Sequence, residues 1–71
     1  MTAKEFVKQY HPNAISESHL DARIGGKRYW LIRLNPRDTM YYAIGKTESN
    51  AWVEAKNKIL RKQIQLTTLF Q

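Results

Sequence analysis

Between Leu20 and Ile44 apolar side chains recur at every second position, and the alternation is broken twice by residues suited to turns. Leu20, Ala22 and Ile24, then Trp30, Ile32 and Leu34, then Met40, Tyr42 and Ile44 make up the apolar set. Successive side chains of a strand point to opposite faces, so the pattern predicts three strands with one face buried. Gly25-Gly26 tolerates the positive φ of a two-residue hairpin turn, and Asn35-Pro36-Arg37-Asp38 is a turn with Pro preset at its second position. Strands joined this way form an antiparallel meander, with boundaries near 18–24, 27–34 and 39–45. The other face carries His19, Asp21, Arg23, Tyr29, Leu31, Arg33, Tyr41 and Ala43. That face is mixed, with aromatic and cationic side chains together.

Helical spacing flanks the sheet on both sides. Thr2-Ala3-Lys4-Glu5 reads as a capping box, in which the Thr2 hydroxyl accepts the Glu5 amide. Ala3, Phe6, Val7 and Tyr10 then fall on one face of a helix over about 3–11, which Pro12 stops because the residue before Pro disfavours the α region. Near the other end, Thr47 or Ser49 caps a helix over about 48–64. Ala51, Trp52, Ala55, Ile59 and Leu66 share one arc of it, and the two alanines permit close approach to the sheet. A narrower second stripe holds Val53, Leu60 and Ile64. It is either covered by the first helix or left free for self-association. The uncharged tail 65–71 alternates like a strand yet also continues the helix. The expected fold is α+β, ordered α-β-β-β-α, with two helices packed on one face of a three-stranded antiparallel sheet.

Seventy-one residues make one domain, and with no Cys its core must come from aromatic and aliphatic groups. No run approaches the roughly 18 apolar residues of a membrane span, and Met1-Thr2-Ala3-Lys4-Glu5 does not open a signal peptide. A cytoplasmic protein without membrane contact is expected. The net charge of +6 is unevenly spread. Residues 1–22 sum to −1, whereas from Arg23 onward ten basic residues meet three acidic ones, giving +7. Such a field favours polyanionic partners, nucleic acid first among them.

Catalysis needs a nucleophile with an oriented base, or a metal, and the residues for neither are assembled. His11, His19 and Asp21 are at best a weak metal triad, and a solvated strand His explains His19 better. Gly45-Lys46-Thr47 resembles the end of a phosphate-binding loop, but Met40 stands where that motif needs Gly. No enzyme activity, cofactor, metal or small-molecule substrate is expected. The interleaved run Lys27-Arg28-Tyr29-Trp30-Leu31-Ile32-Arg33 is more informative, because Arg and Tyr on an exposed sheet can stack on bases and pair with phosphates. Arg28 shares the parity of the core residue Trp30 and reads also as a solvated neighbour. The candidate nucleic-acid-binding residues are Arg23, Lys27, Arg28, Tyr29, Arg33, Arg37 and Tyr41. Lys56, Lys58, Arg61 and Lys62 make a second basic surface, ranked lower. The alternative is a protein-interaction or homodimerising module that uses Val53, Leu60 and Ile64 with the tail.

The helix, three strands and helix over residues 2–62, with Gly45 ahead of a capped Ala51/Ala55 helix, resemble the double-stranded-RNA-binding domain. That resemblance implies contacts from the first helix, from the Gly25-Gly26-Lys27 turn and from the start of the last helix. Here the last helix opens Thr47-Glu48-Ser49-Asn50 in place of the family's lysine cluster. Residues 27–59 are also similar to the sheet-reading DNA-binding domains of plant ethylene-response factors and transposon integrases, which would send Arg23, Tyr29, Arg33 and Arg37 into the major groove. His11-Pro12-Asn13-Ala14 and Gly45-Lys46-Thr47 with Ala51-Trp52 resemble small uncharacterised bacterial and phage proteins, a likeness that implies no function.

Overall fold

A computed structural model describes residues 1–21 and 25–69, with the backbone course alone for 21 and 64–69. The elements run α1 (Ala3–Tyr10), β1 (Ile15–Asp21), β2 (Lys27–Arg33), β3 (Ala43–Gly45) and α2 (Glu48–Leu69). The strands form an antiparallel sheet in the order β1-β2-β3. The α-β-β-β-α layout of an α+β fold is therefore present, with both helices on one face of the sheet.

Local chemistry accounts for the element ends. The Thr2 hydroxyl accepts the Glu5 amide at 3.1 Å, and the amide of His11 closes α1 on the Val7 carbonyl. Thr47, rather than Ser49, caps α2, its Oγ1 accepting the Asn50 amide at 3.1 Å. The turn after β2 forms around Asn35: its carbonyl accepts the Asp38 amide and its side chain the Arg37 amide. α1 has only eight residues, too few to persist alone. It is held by burying Val7, with Phe6 and Ala3 partly covered, against a core of Ala14, Ile32, Ala43, Ala51, Trp52, Ala55 and Ile59.

Several expectations need correction. β1 lies at Ile15–Asp21, three residues earlier than predicted, and its last pair is Asp21 with Lys27. The Asp21–Lys27 pair stands in place of the Ile24–Lys27 pairing that a two-residue turn at Gly25-Gly26 requires, and both glycines have positive φ. The predicted roles of Ala22, Arg23 and Ile24 lie outside the described residues. Leu20 keeps the helix-side parity, opposite Arg28, but is 63% exposed because it lies at the hairpin end.

β3 is reversed. Instead of a strand over 39–45 with Met40, Tyr42 and Ile44 inward, only Ala43–Gly45 pairs, and Ala43 faces Ile32 in the core. Met40 is exposed, and Ile44 sits on the outer face beside Leu31 at 46% exposure. The cause is the close approach of α2. A Cβ built on Gly45 would lie 2.8 Å from the Asn50 carbonyl carbon and 2.9 Å from the Ala51 Cα, with the Ala51 nitrogen nearer still. Gly45 therefore seats against the first turn of α2, Ala43 is buried in the same core as Ala51 and Ala55, and the bulky Ile44 turns away. Tyr42 alone keeps part of the predicted role, packing partly buried against the core with its amide donating to the Ile32 carbonyl at 2.7 Å.

The helix predicted to end near 64 continues to Leu69, so the tail over those residues takes its helical alternative. No helix among the described residues is long and apolar enough to cross a membrane.

Candidate nucleic-acid interface

The outer face of the sheet is organised by one carboxylate. Glu17 on β1 lies opposite Leu31 in the register. It accepts Arg33 Nε at 3.2 Å on one oxygen and pairs with His19 Nε2 at 3.3 Å on the other. The Arg33 hydrogen bond, then that of His19, holds the Glu17 carboxyl below the ordinary carboxylate range. Arg33 also donates to the Asp38 carbonyl at 3.0 Å, so one guanidinium straps the β2–β3 turn to β1. Between these charged groups Leu31 is only 7% exposed, although it faces away from both helices. Two of the five guanidinium N–H donors are thus engaged, and the Glu17 carboxylate offsets the charge that would draw a phosphate.

A different arrangement stands at the hairpin end. Lys27 and Arg28 open β2, and Lys46 follows Gly45 at the end of β3, which the meander lays beside the same end of β2 through the Trp30–Gly45 pair. With Tyr29 they line one open concavity of about 510 Å³, and no carboxylate is among those four side chains. Lys27, Arg28 and Lys46 are all exposed. Asp21 faces Lys27 in the backbone register. Arg28 donates to the Ser18 hydroxyl at 3.3 Å, which steadies its guanidinium across the strand pair. The Tyr29 ring is half-buried and stacks against His19 at 5.6 Å between centroids and 21° between planes.

The predicted set therefore divides. Lys27, Arg28 and Tyr29 come together with Lys46. Arg33 is engaged in the sheet, Arg37 is exposed in the turn, and Tyr41 lines a separate shallow hollow with Leu34, Asp38, Thr39, Met40 and Tyr42. Arg23 lies outside the described residues. Lys46 was missed because Gly45-Lys46-Thr47 reads as a strand end and a cap. Its signal was its place directly after Gly45, at the strand end that a meander lays beside the start of β2.

On the helix side, α1 packs along the Trp52 and Lys56 flank of α2, with Lys4 Nζ 6.0 Å from the Trp52 ring and Lys56 Nζ 5.4 Å from that of Phe6. This leaves Val53 at 44% exposure and Leu60 half-buried, while the Ile64 side chain lies outside the described residues. On the sheet side, Lys58 donates to the Tyr42 carbonyl at 2.6 Å, and burial raises the Tyr42 phenol above its ordinary value. Among the described residues no group of three His, Cys, Asp or Glu is placed to hold a metal ion. No protein-family model matches the chain, and no significantly similar curated protein or solved structure was found.

Proposed function

We propose that the protein is a small non-enzymatic binding module for nucleic acid that grips phosphate with Lys27, Arg28 and Lys46. The observation that carries this reading is the meeting of these three exposed cations with one ring in a single concavity. The excess of positive charge after residue 22 supplies the long-range attraction. The α-β-β-β-α order adds support, since the double-stranded-RNA-binding domain it resembles also uses its first hairpin turn and the start of its last helix. The proposed surface is the hairpin end of the sheet, shifted from the broad outer face that strand parity suggested.

Titration of labelled oligonucleotides at increasing salt tests the reading. Three phosphate contacts predict that log K falls with log salt at a slope of about −2 to −3. Charge reversal at Lys27, Arg28 and Lys46 should abolish binding, whereas Arg37→Glu should weaken it only slightly. Absence of binding at low salt would reject the proposal, because phosphate contacts are strongest there.

A second reading rests on the exposed Val53 beside Leu60, which α1 leaves uncovered: self-association through α2. It predicts a dimer in sedimentation that Leu60→Asp disperses, and a persistent monomer removes it.

A further inference from the structure

We infer that the nucleic acid taken at the hairpin end is single-stranded, with one unpaired base laid on the Tyr29 ring; the inference rests on the phosphate-binding reading above. The argument starts from what each group in the concavity can recognise. Lys27, Arg28 and Lys46 meet phosphate oxygens, which single strands and duplexes both offer. An aromatic ring is different. Its useful surface is a face, and a face can be covered only by another flat group. In a duplex every internal base has both faces covered by its neighbours, so the grooves present only edges, sugars and phosphates. A ring among phosphate-binding cations is therefore of use to a base that has left its stack.

The surroundings of Tyr29 suit that use. Its stack on His19 makes a two-ring shelf within the sheet, and the cross-strand pairing of the same two residues fixes both rings to rigid backbone. The bond from Arg28 to Ser18 steadies one phosphate-binding group on the helix-side face of the same strand end, and the concavity that Arg28 and Tyr29 both line joins it to the ring. A ring that needs no ordering on binding loses little conformational entropy when a base lands on it. Neither DNA nor RNA is preferred by these contacts, because phosphate and base face are common to both.

The test compares fluorescein-labelled dT12, rU12 and a twelve-base-pair duplex by anisotropy against the full chain at low salt. Both single strands are expected to bind at least tenfold tighter than the duplex. Tyr29→Leu should weaken single-strand binding by about 5- to 100-fold, the range for one lost base stack, and leave duplex binding unchanged. Tyr29→Phe should retain it. Because Tyr29→Leu could disturb the sheet, the wild-type chain supplies an independent readout: the Tyr29 ring protons shift on adding dT12 and not on adding duplex. Equal affinity for duplex, or ring protons that stay in place while dT12 binds, overturns the single-strand inference and leaves phosphate binding standing. If none of the three binds at low salt, the failure belongs to the phosphate-binding reading itself and the inference falls with it.

Discussion

Gly45→Ala should be among the most damaging single-methyl changes in the molecule. The added Cβ would stand 2.8 Å from the Asn50 carbonyl carbon and 2.9 Å from the Ala51 Cα, where ordinary carbon contacts sit at about 3.5–4.0 Å. The blocking atoms are backbone at the first turn of α2, so no rotamer change relieves them. The helix must retreat by about 0.5–1 Å, and a gap of that size forfeits a quarter to a half of each contact's attraction. Ala51 and Ala55, both fully buried, would loosen with it. Overpacking costs about 1–3 kcal/mol, and a backbone obstacle places this site near 3. For 71 residues a total stability of roughly 4–11 kcal/mol is ordinary, so the loss is a large fraction, about 12–24 °C in Tm. Urea unfolding followed by tryptophan fluorescence measures it, Trp52 being buried and Trp30 partly so. Gly25 and Gly26 are the control: a Cβ on either meets open space, and their sensitivity comes from φ of +69° and +74°. Gly25→Asn should therefore cost less than Gly25→Ala, because Asn tolerates the left-handed region. At position 45 the cost should instead rise with size, Val exceeding Ala. A Gly45→Ala variant within 0.5 kcal/mol of wild type, or Gly45→Val no worse than Ala, would refute the reasoning.

Three further outcomes follow from the same geometry. Because Arg33 and His19 hold the folded Glu17 carboxyl below its unfolded value, its contribution is present above that value and lost as pH falls from about 4 through the folded pKa. Glu17→Gln should therefore lose less stability than wild type between pH 6 and pH 3 in urea melts, and equal losses would remove the role given to this pair. Burial shifts the Tyr42 phenol the other way, so its contribution is present below the unfolded value and lost as pH rises through the folded one. Alkaline unfolding that Tyr42→Phe leaves unaltered would contradict this. Ile32→Ala, at a side chain with no exposure, should cost about 2–5 kcal/mol by denaturation, and a cost below 1 would mean that the core can collapse onto the space.

Much of the fold was legible from local chemistry. The Thr2 cap, the Asn35-Pro36 turn and the Ala51, Trp52, Ala55 and Ile59 arc each depend on residues close in sequence, and each formed as read. What was not legible is non-local. The facing of Ala43 and Ile44 depends on how near α2 comes, a tertiary demand that overrides hydrophobic alternation. The register of β1 is set by its pairing along β2, which puts Asp21 opposite Lys27, where the adjacent glycines suggested Ile24. Arg33 has the same composition signal as Arg28, and only the partners brought by the sheet, Glu17 and the Asp38 carbonyl for one and the neutral Ser18 hydroxyl for the other, separate a strap from an exposed cation. Lys46 shows the converse, a residue outside the candidate set that the meander delivers to a basic cluster.

The placement of α1 has a kinetic consequence. Its principal packing is against α2, so its partner lies at the opposite end of the described chain. The sheet can assemble from neighbouring hairpins, and β3 reaches α2 through the short Lys46-Thr47 link, both with little loop entropy to overcome. An eight-residue helix has no such local route and becomes ordered only when a docked α2 gives Val7 and Phe6 somewhere to lie. The helix that precedes the sheet is thus set to be the last to order and the first to open, a separable unit whose amides exchange ahead of the β2–β3–α2 core.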